Sequence, residues 1–233
     1  MKIALLGYGK MGKAIEQIAL SKGHEIVLRK TSDASFDGLE NADVAIDFSV
    51  PSSAVENISE ALRRRIPIVS GTTGWLADYD KMTALCNEKQ GAFLYGSNFS
   101  LGVNLFFELN EHLARLMARF PEYKVRMTEI HHTQKLDAPS GTAISLAKDI
   151  INYSAYSGWT MDEPKSDEIP IKAERIDKVP GTHSIYYETS IDTIEITHTA
   201  HSREGFAMGA VLAAEWIIGK KGVFSMKDVL FAE

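Results

Sequence analysis

The chain has 233 residues, 45% of them hydrophobic, and a formal net charge of −6. That is enough apolar sequence for a sizeable core in one large domain or two small ones, and the mild acidity argues against a nucleic-acid or anionic-membrane surface. The single cysteine, Cys86, excludes an internal disulfide and suits a reducing cytoplasm; a strand pattern from residue 2 leaves no room for a signal peptide, and no apolar run reaches the ~20 residues of a membrane span.

Lys2-Ile3-Ala4-Leu5-Leu6 is a short apolar run, the form of a strand buried on both faces. Gly7-Tyr8-Gly9-Lys10-Met11-Gly12 follows at once, and Met11, Ile15, Ile18 and Ala19 then form a helical stripe up to Gly23. G-x-G-x-x-G is a weak signal alone and a strong one between a strand and a helix. Gly7 allows a tight turn, Gly9 lets the backbone approach a pyrophosphate, and Gly12 lets helix and strand pack closely. The pattern predicts a dinucleotide on this turn; the plainer alternative is a glycine-rich turn with no ligand.

Glu25-Ile26-Val27-Leu28 reads as a second strand ending at Arg29-Lys30-Thr31. NAD-binding folds carry an Asp or Glu there for the ribose hydroxyls. Here two cations take that place, and the first acid, Asp33, comes later. Two readings stay open: solvated charges at a strand end, or a site for the extra phosphate of NADP. On the second reading NADPH and NADH both serve, with NADPH favoured.

Residues 42–48 form a third strand, and a helix after Pro51 carries the stripe Ala54, Val55, Ile58, Ala61 and Leu62. Arg63-Arg64-Arg65 closes it, a placement that suits the helix dipole and reads as structural. Residues 66–69 are a fourth strand, followed by Gly71-Thr72-Thr73-Gly74, a helix over about 77–88 and a strand at 92–95. Gly96-Ser97-Asn98-Phe99-Ser100 ends that strand. Such small, polar turns at carboxyl ends belong at the ligand edge of a doubly wound sheet. The alternation predicts a parallel sheet with right-handed crossovers.

After Gly102 the rhythm changes. A helix is predicted over 103–118, then a strand in which Val125, Met127 and Glu129 alternate with Arg126, Thr128 and Ile130. His131 and His132 fall at or just past its end, and neighbours on an extended chain point to opposite faces. Ser140 is a good N-cap for a helix carrying Ile144, Leu146, Ala147, Ile150 and Ile151. A helix start with open N–H groups is an anion site, and Lys135 adds a positive charge nearby. Strand end, imidazoles, cation and helix start together predict a pocket for a small acidic substrate with a proton donor beside it. No catalytic metal is expected, because His131-His132 lacks a cysteine or spaced third ligand nearby. Residues 151–180 read as irregular. Residues 183–191 and 193–199 read as two strands joined by a tight turn, so this half is α+β. An apolar helix over 206–218, ended by Gly219-Lys220-Lys221-Gly222, is placed to pack on the first domain.

The run Glu129-Ile130-His131-His132-Thr133-Gln134-Lys135-Leu136-Asp137-Ala138-Pro139-Ser140-Gly141-Thr142-Ala143 resembles the signature of the 4-hydroxy-tetrahydrodipicolinate (dihydrodipicolinate) reductase family of bacterial lysine and diaminopimelate synthesis. Gly7 to Gly12, Ile46-Asp47-Phe48-Ser49, Gly71-Thr72-Thr73-Gly74, Asn98-Phe99-Ser100-Leu101-Gly102-Val103-Asn104, and Glu195-Ile196-Thr197-His198 with Ser202-Arg203 also resemble family segments, in family order. The resemblance implies a Rossmann-type doubly wound parallel sheet, residues 1–102 with 203–233, as a dinucleotide-binding domain. It implies a smaller α+β domain, residues 103–202, whose open mixed sheet binds substrate and builds a homotetramer. The implied reaction is NAD(P)H-dependent reduction of a small dicarboxylate, 4-hydroxy-tetrahydrodipicolinate, to tetrahydrodipicolinate. Implied cofactor contacts are Gly7, Tyr8, Gly9, Lys10, Met11 and Gly12, then Gly71, Thr72 and Thr73, then Tyr95, Gly96, Ser97, Asn98 and Phe99. His131 is implied as proton donor, His132 as substrate ligand, Lys135 as second proton donor or anchor, and Gly141-Thr142, after the Ser140 cap, as a carboxylate cradle. Two departures from the family pattern are the short connection between the second and third strands and the missing acid after the second.

The residues suit that chemistry. Reducing a conjugated cyclic imine or enamine needs a hydride on one carbon, from the cofactor, and a proton on its neighbour, from the protein. Histidine, with an unperturbed pKa of about 6.5, transfers protons near neutrality. Two alternatives remain: another two-domain NAD(P)-dependent dehydrogenase, and a non-catalytic NAD(P)-binding regulator. A semialdehyde enzyme working through a thioester needs a catalytic cysteine, and Cys86 lies in a predicted helix. A regulator has no use for His131 and Lys135 beside an anion site.

Overall fold

The computed structural model describes residues 1–31, 34–202 and 204–231. The chain divides into two compact units, Met1–Leu101 with Glu204–Glu233, and Gly102–Arg203.

In the first unit, β1 (Lys2–Leu6), β2 (Glu25–Lys30), β3 (Val44–Asp47), β4 (Ile68–Ser70), β5 (Ala92–Tyr95) and β11 (Gly222–Phe224) form one parallel sheet in the order β11-β5-β4-β3-β1-β2. Its strands are continuous apolar runs because both faces are covered. Ile3, Leu5, Val44 and Ile46 face one core with residues of α1 (Lys10–Ser21) and α6 (Glu204–Ile217). Their neighbours Ala4, Leu6 and Ala45 face the other core with α2 (Pro51–Arg63) and α3 (Tyr79–Lys89). Arg64 is structural as read: it binds the Phe36 carbonyl and the carboxylates of Glu40 and Glu60.

β2 and β3 lie on opposite sides of β1. The chain therefore switches direction across the sheet at β1, and a crevice opens outside the carboxyl ends of strands at such a point. Among the described residues, the short β2–β3 connection holds only a 3₁₀ turn, Leu39–Asn41. In this unit, β11 and α7 (Met226–Phe231) escaped the sequence reading. β11 has three residues, the first a glycine, and owes its strand character to pairing with β5, where Val223 meets Phe93.

The second unit contains α4 (Leu101–Met117), β6 (Lys124–His131), α5 (Gly141–Tyr153), β7 (Gly158–Thr160), β8 (Glu168–Arg175), β9 (Gly181–Glu188) and β10 (Thr193–Ala200). The strands form a mixed sheet in the order β10-β9-β6-β8-β7, antiparallel at β10–β9 and β9–β6, parallel at β6–β8 and β8–β7. Phe106 and Ala114 of α4 and Leu146, Ala147 and Ile150 of α5 pack with Val125, Met127 and Ile185.

The prediction of irregular structure over 151–180 is overturned by β7 and β8. Ile169 and Ile171 alternate inward as a strand should, but Pro170 between them reads as a breaker. Pro170 lies opposite Thr160 of the three-residue β7, outside the segment 171–175 that pairs with β6. The missing N–H therefore falls outside the main ladder. Among the described residues, no helix is long and apolar enough to cross a membrane.

Candidate active site

The glycine turn after β1 is shaped by contacts that admit no side chain. Gly7 has φ +108°, and a Cβ there would lie 2.2 Å from the Phe48 carbonyl oxygen. A Cβ on Gly12 would lie 2.3 Å from the Gly7 oxygen, the close helix–strand approach expected of it. A Cβ on Gly9 would meet nothing within 4 Å, so protein packing does not demand that glycine and the space outside it is free. Gly9 is the N-cap of α1 and makes no side-chain cap. The first-turn N–H groups are thus left for an anion.

A cavity of about 310 Å³ opens beside this turn, lined by Gly7, Tyr8, Gly9, Lys30, Thr31, Phe48, Ser49, Val50, Ser53 and Asn57. A second, of about 210 Å³, is lined by Met11, Phe48, Ser49, Pro51, Gly71, Thr72 and Thr73. Arg29 and Lys30 part company here. β2 extends through both, so their side chains take opposite faces. Arg29 Nε donates to Glu16 Oε1 at 2.8 Å, and Tyr8 Oη donates to the same carboxylate. Lys30 is 4% exposed, lines the larger cavity and holds its ammonium 4.6 Å from the centre of the Phe36 ring. Among the described residues no carboxylate pairs with it. Asp33, the first acid after β2, lies outside the described residues, as does Arg203.

The other residues named for this edge behave differently. Tyr95 packs its ring against Trp75 and Tyr79 at 5.5 and 5.9 Å. Phe99 is buried in the core, edge-on to Phe48. Both side chains are structural, which leaves their backbones and Gly96, Ser97 and Asn98 to present the turn; Lys10 is exposed. Beneath the crevice, buried Asp47 accepts from Ser49 Oγ at 2.6 Å, Asn57 Nδ2 at 2.8 Å and Ser70 Oγ at 2.8 Å. Burial pushes its carboxyl above the usual range, against the pull of those donors. This hub ties together the turns after β3 and β4 and the helix α2. Asp47→Ala should lower stability by about 2–4 kcal/mol, because it strips buried donors of their acceptor. A shift under 1 kcal/mol in a denaturant melt would show that the donors find other partners.

In the second unit, the buried face of β6 runs Val125, Met127, Glu129, His131. The alternation that makes the core thus ends in a carboxylate and an imidazole, while His132, just past the strand's end, is half-buried. Register supplies the rest: Glu129 lies opposite His183 on β9, and His131 opposite Arg175 on β8. Glu129 is 0% exposed. Its Oε2 accepts from the Ser140 N–H at 2.9 Å and lies 3.5 Å from His131 Nδ1 and 3.8 Å from His183 Nε2. Its Oε1 accepts from Arg175 Nη2 at 3.1 Å, and the same guanidinium holds the Asp137 carbonyl at 2.8 Å. The rings of His131 and His183 meet edge-on, centroids 5.0 Å apart.

Ser140 is the N-cap of α5: its Oγ accepts from the Ala143 N–H at 3.1 Å and lies 3.0 Å from His183 Nε2. The first-turn N–H groups at Gly141 and Thr142 are left open. A Cβ on Gly141 would meet nothing within 4 Å. Lys135 is not a bare cation; its Nζ contacts both oxygens of the exposed Asp137, at 2.8 and 2.7 Å. Burial lowers the pKa of both His131 and His183, the latter to about 4. Burial opposes ionisation of Glu129, but Ser140, His131 and Arg175 outweigh it and hold the carboxyl below the usual range.

Sequence reading missed Arg175 and His183. Arg175 sits in the stretch read as irregular, and His183 read only as the start of a strand. The expected absence of a metal rested on the lack of a third ligand; the fold brings one atom each from Glu129, His131 and His183 within 4.8 Å of one another.

A switch-point crevice with a glycine turn defines the class: an α/β protein of the dinucleotide-binding oxidoreductase type. Residues 1–99 match the family model described as dihydrodipicolinate reductase, N-terminus, and residues 102–230 the one described as dihydrodipicolinate reductase, C-terminus. The chain belongs to the dihydrodipicolinate reductase family. It is 56% identical, over 99% of its length and 98% of the relative's, to the 4-hydroxy-tetrahydrodipicolinate reductase of Christiangramia forsetii. It is 35% identical to that of Methanoregula boonei, over 91% and 83% of the two chains. Dipicolinate-bound dihydrodipicolinate reductase from Paenisporosarcina sp. TG-14 shares the fold with a TM-score of 0.77 at 22% identity, over 99% of both chains. A probable dehydrogenase from Thermotoga maritima shares it more distantly, with a TM-score of 0.60 at 12% identity, over 98% and 92%. The thioester alternative loses its ground, since Cys86 is buried within α3.

Proposed function

We propose that the chain catalyses the NAD(P)H-dependent reduction of 4-hydroxy-tetrahydrodipicolinate to tetrahydrodipicolinate. The observation that carries this is the buried face of β6 ending in Glu129 and His131 beside the open start of α5, in a chain whose two halves both match the family. A bound nicotinamide cofactor supplies the hydride. The turn Gly7 to Gly12 and the free start of α1 hold its pyrophosphate, Lys30 holds the NADP phosphate, and Gly71 to Thr73 with Gly96 to Phe99 border the rest. Open space at Gly9 and a buried Lys30 that pairs with no carboxylate among the described residues fit such a group.

In the second unit, the N–H groups of Gly141 and Thr142 bind one substrate carboxylate, with Ser140 fixing the helix start beneath them. Lys135 and His132 bind the other polar edge. Lys135 gives up the exposed Asp137 when a substrate carboxylate arrives, trading one charge-assisted contact for another. His131 delivers the proton to the carbon beside the one that receives hydride. Glu129 sets its ring orientation, and Gly181, where a Cβ would lie 3.1 Å from His131 Nε2, leaves it room. The same reading places the protein in the cytoplasm as a homotetramer; Ile191 in the β9–β10 turn and Ile194 on the outer strand β10, 90% and 38% exposed, suit burial between subunits.

A planar pyridine bearing carboxylates at positions 2 and 6 is then expected to compete with substrate. Lys135→Ala should weaken that inhibitor about tenfold or more, one charge-assisted contact being worth roughly 1.5–3 kcal/mol, and leave NADPH affinity in place. Equal inhibition of parent and variant would move the anion site elsewhere.

A further inference from the structure

We propose that Glu129, His131 and His183 form a binding site for a soft divalent cation, Zn²⁺ foremost, whose occupancy arrests the enzyme. Two histidines and one carboxylate are the protein ligands of open zinc sites, with a fourth position left to water. Ligands on a tetrahedral zinc with bonds of about 2.0–2.1 Å stand about 3.3–3.5 Å apart. Glu129 Oε2 already lies 3.5 Å from His131 Nδ1 and 3.8 Å from His183 Nε2, and one ligand atom from each of the three lies within 4.8 Å of the others, so side-chain rotations that draw the three together close the site. A second observation is that His131 Nδ1 is a buried nitrogen with no hydrogen-bond partner among the described residues, on a residue 8% exposed. It is aimed at the carboxylate.

The surroundings prepare the carboxylate as a ligand. Arg175 occupies Glu129 Oε1 and leaves Oε2 facing the imidazoles. The guanidinium and the Ser140 N–H orient the carboxylate as outer partners orient metal ligands. Arg175 and Lys135 oppose a cation, but each already faces a carboxylate, Glu129 and Asp137. Binding exchanges the Ser140–His183 contact for a metal bond. It also ties up Nδ1 of His131 and bars the protonated ring. The site itself does not depend on the proposed function; the arrest of turnover does, since it rests on His131 as proton donor.

The test uses the full chain freed of metal by a chelator and titrated with Co²⁺, then Zn²⁺. The expected result is one Co²⁺ per chain with the visible bands of a four-coordinate ion, displaced by Zn²⁺. In ring-nitrogen NMR of the parent, Zn²⁺ should shift His131 and His183 and leave His24, His112, His198 and His201 unmoved. His183→Gln and Glu129→Gln should each weaken binding by at least ~10-fold, no less than the loss seen for outer partners. Absence of binding, unchanged affinity in both variants, or shifts at the other histidines would overturn the site. Turnover of the parent should fall over the same Zn²⁺ range and return with chelator. Binding without loss of turnover would overturn the arrest, and His131→Ala would show separately whether His131 acts at all.

Discussion

His131→Ala is expected to lower turnover by about 10²–10⁴-fold, the usual contribution of a positioned general acid, with NADPH affinity nearly unchanged. The direction follows from where the residue stands. His131 is the last residue of β6, on the strand's buried face, with a carboxylate behind it and the open start of α5 nearby. No other imidazole takes its place: His132 lies past the end of β6 and is only half-buried, and His183 is engaged with Ser140. An equal loss of kcat and kcat/KM would mark an interaction made only in the transition state. A variant within a few-fold of the parent would remove His131 from the mechanism.

Lys30→Ala is expected to lower the specificity constant for NADPH by about ten- to a hundredfold and to leave NADH nearly unaffected. A charge-assisted hydrogen bond to phosphate is worth roughly 1.5–3 kcal/mol, and each 1.4 kcal/mol is a factor of ten. The sequence offered two cations for this role, and the structure separates them. Arg29 turns to Glu16 and Tyr8, whereas Lys30 lines the cavity beside the glycine turn. Arg29→Ala should therefore change the two cofactors alike and slightly. Because Lys30 is buried, added salt should screen its contact little. A parent that prefers NADH, or equal losses of both cofactors in Lys30→Ala, would make Lys30 a structural cation.

What the sequence shows of this protein follows the range over which its rules act. The β1 turn, the α1 stripe and the Ser140 cap are set within a few residues, and the structure has them where the pattern puts them. The parallel sheet was legible because strands and helices alternate, save at the short β2–β3 connection. β8 was hidden by Pro170, whose cost depends on which neighbour lies beside it. β11 was hidden because three residues carry no period. His183 and Arg175 were illegible as site residues for a deeper reason. They meet Glu129 and His131 only through the registers of β6 with β9 and β8, and register is a property of the folded sheet. Glu129 was visible as a strand residue, but its burial was not, since a carboxylate at an inward position is tolerated only with partners that come from elsewhere in the chain.

The most direct measurement is the absorbance of reduced nicotinamide when the purified chain meets freshly prepared 4-hydroxy-tetrahydrodipicolinate. The account predicts oxidation of NADPH, and more weakly of NADH, that requires both the heterocycle and the protein and collapses in His131→Ala. No oxidation above background with either cofactor, or oxidation that proceeds without the heterocycle, would contradict it.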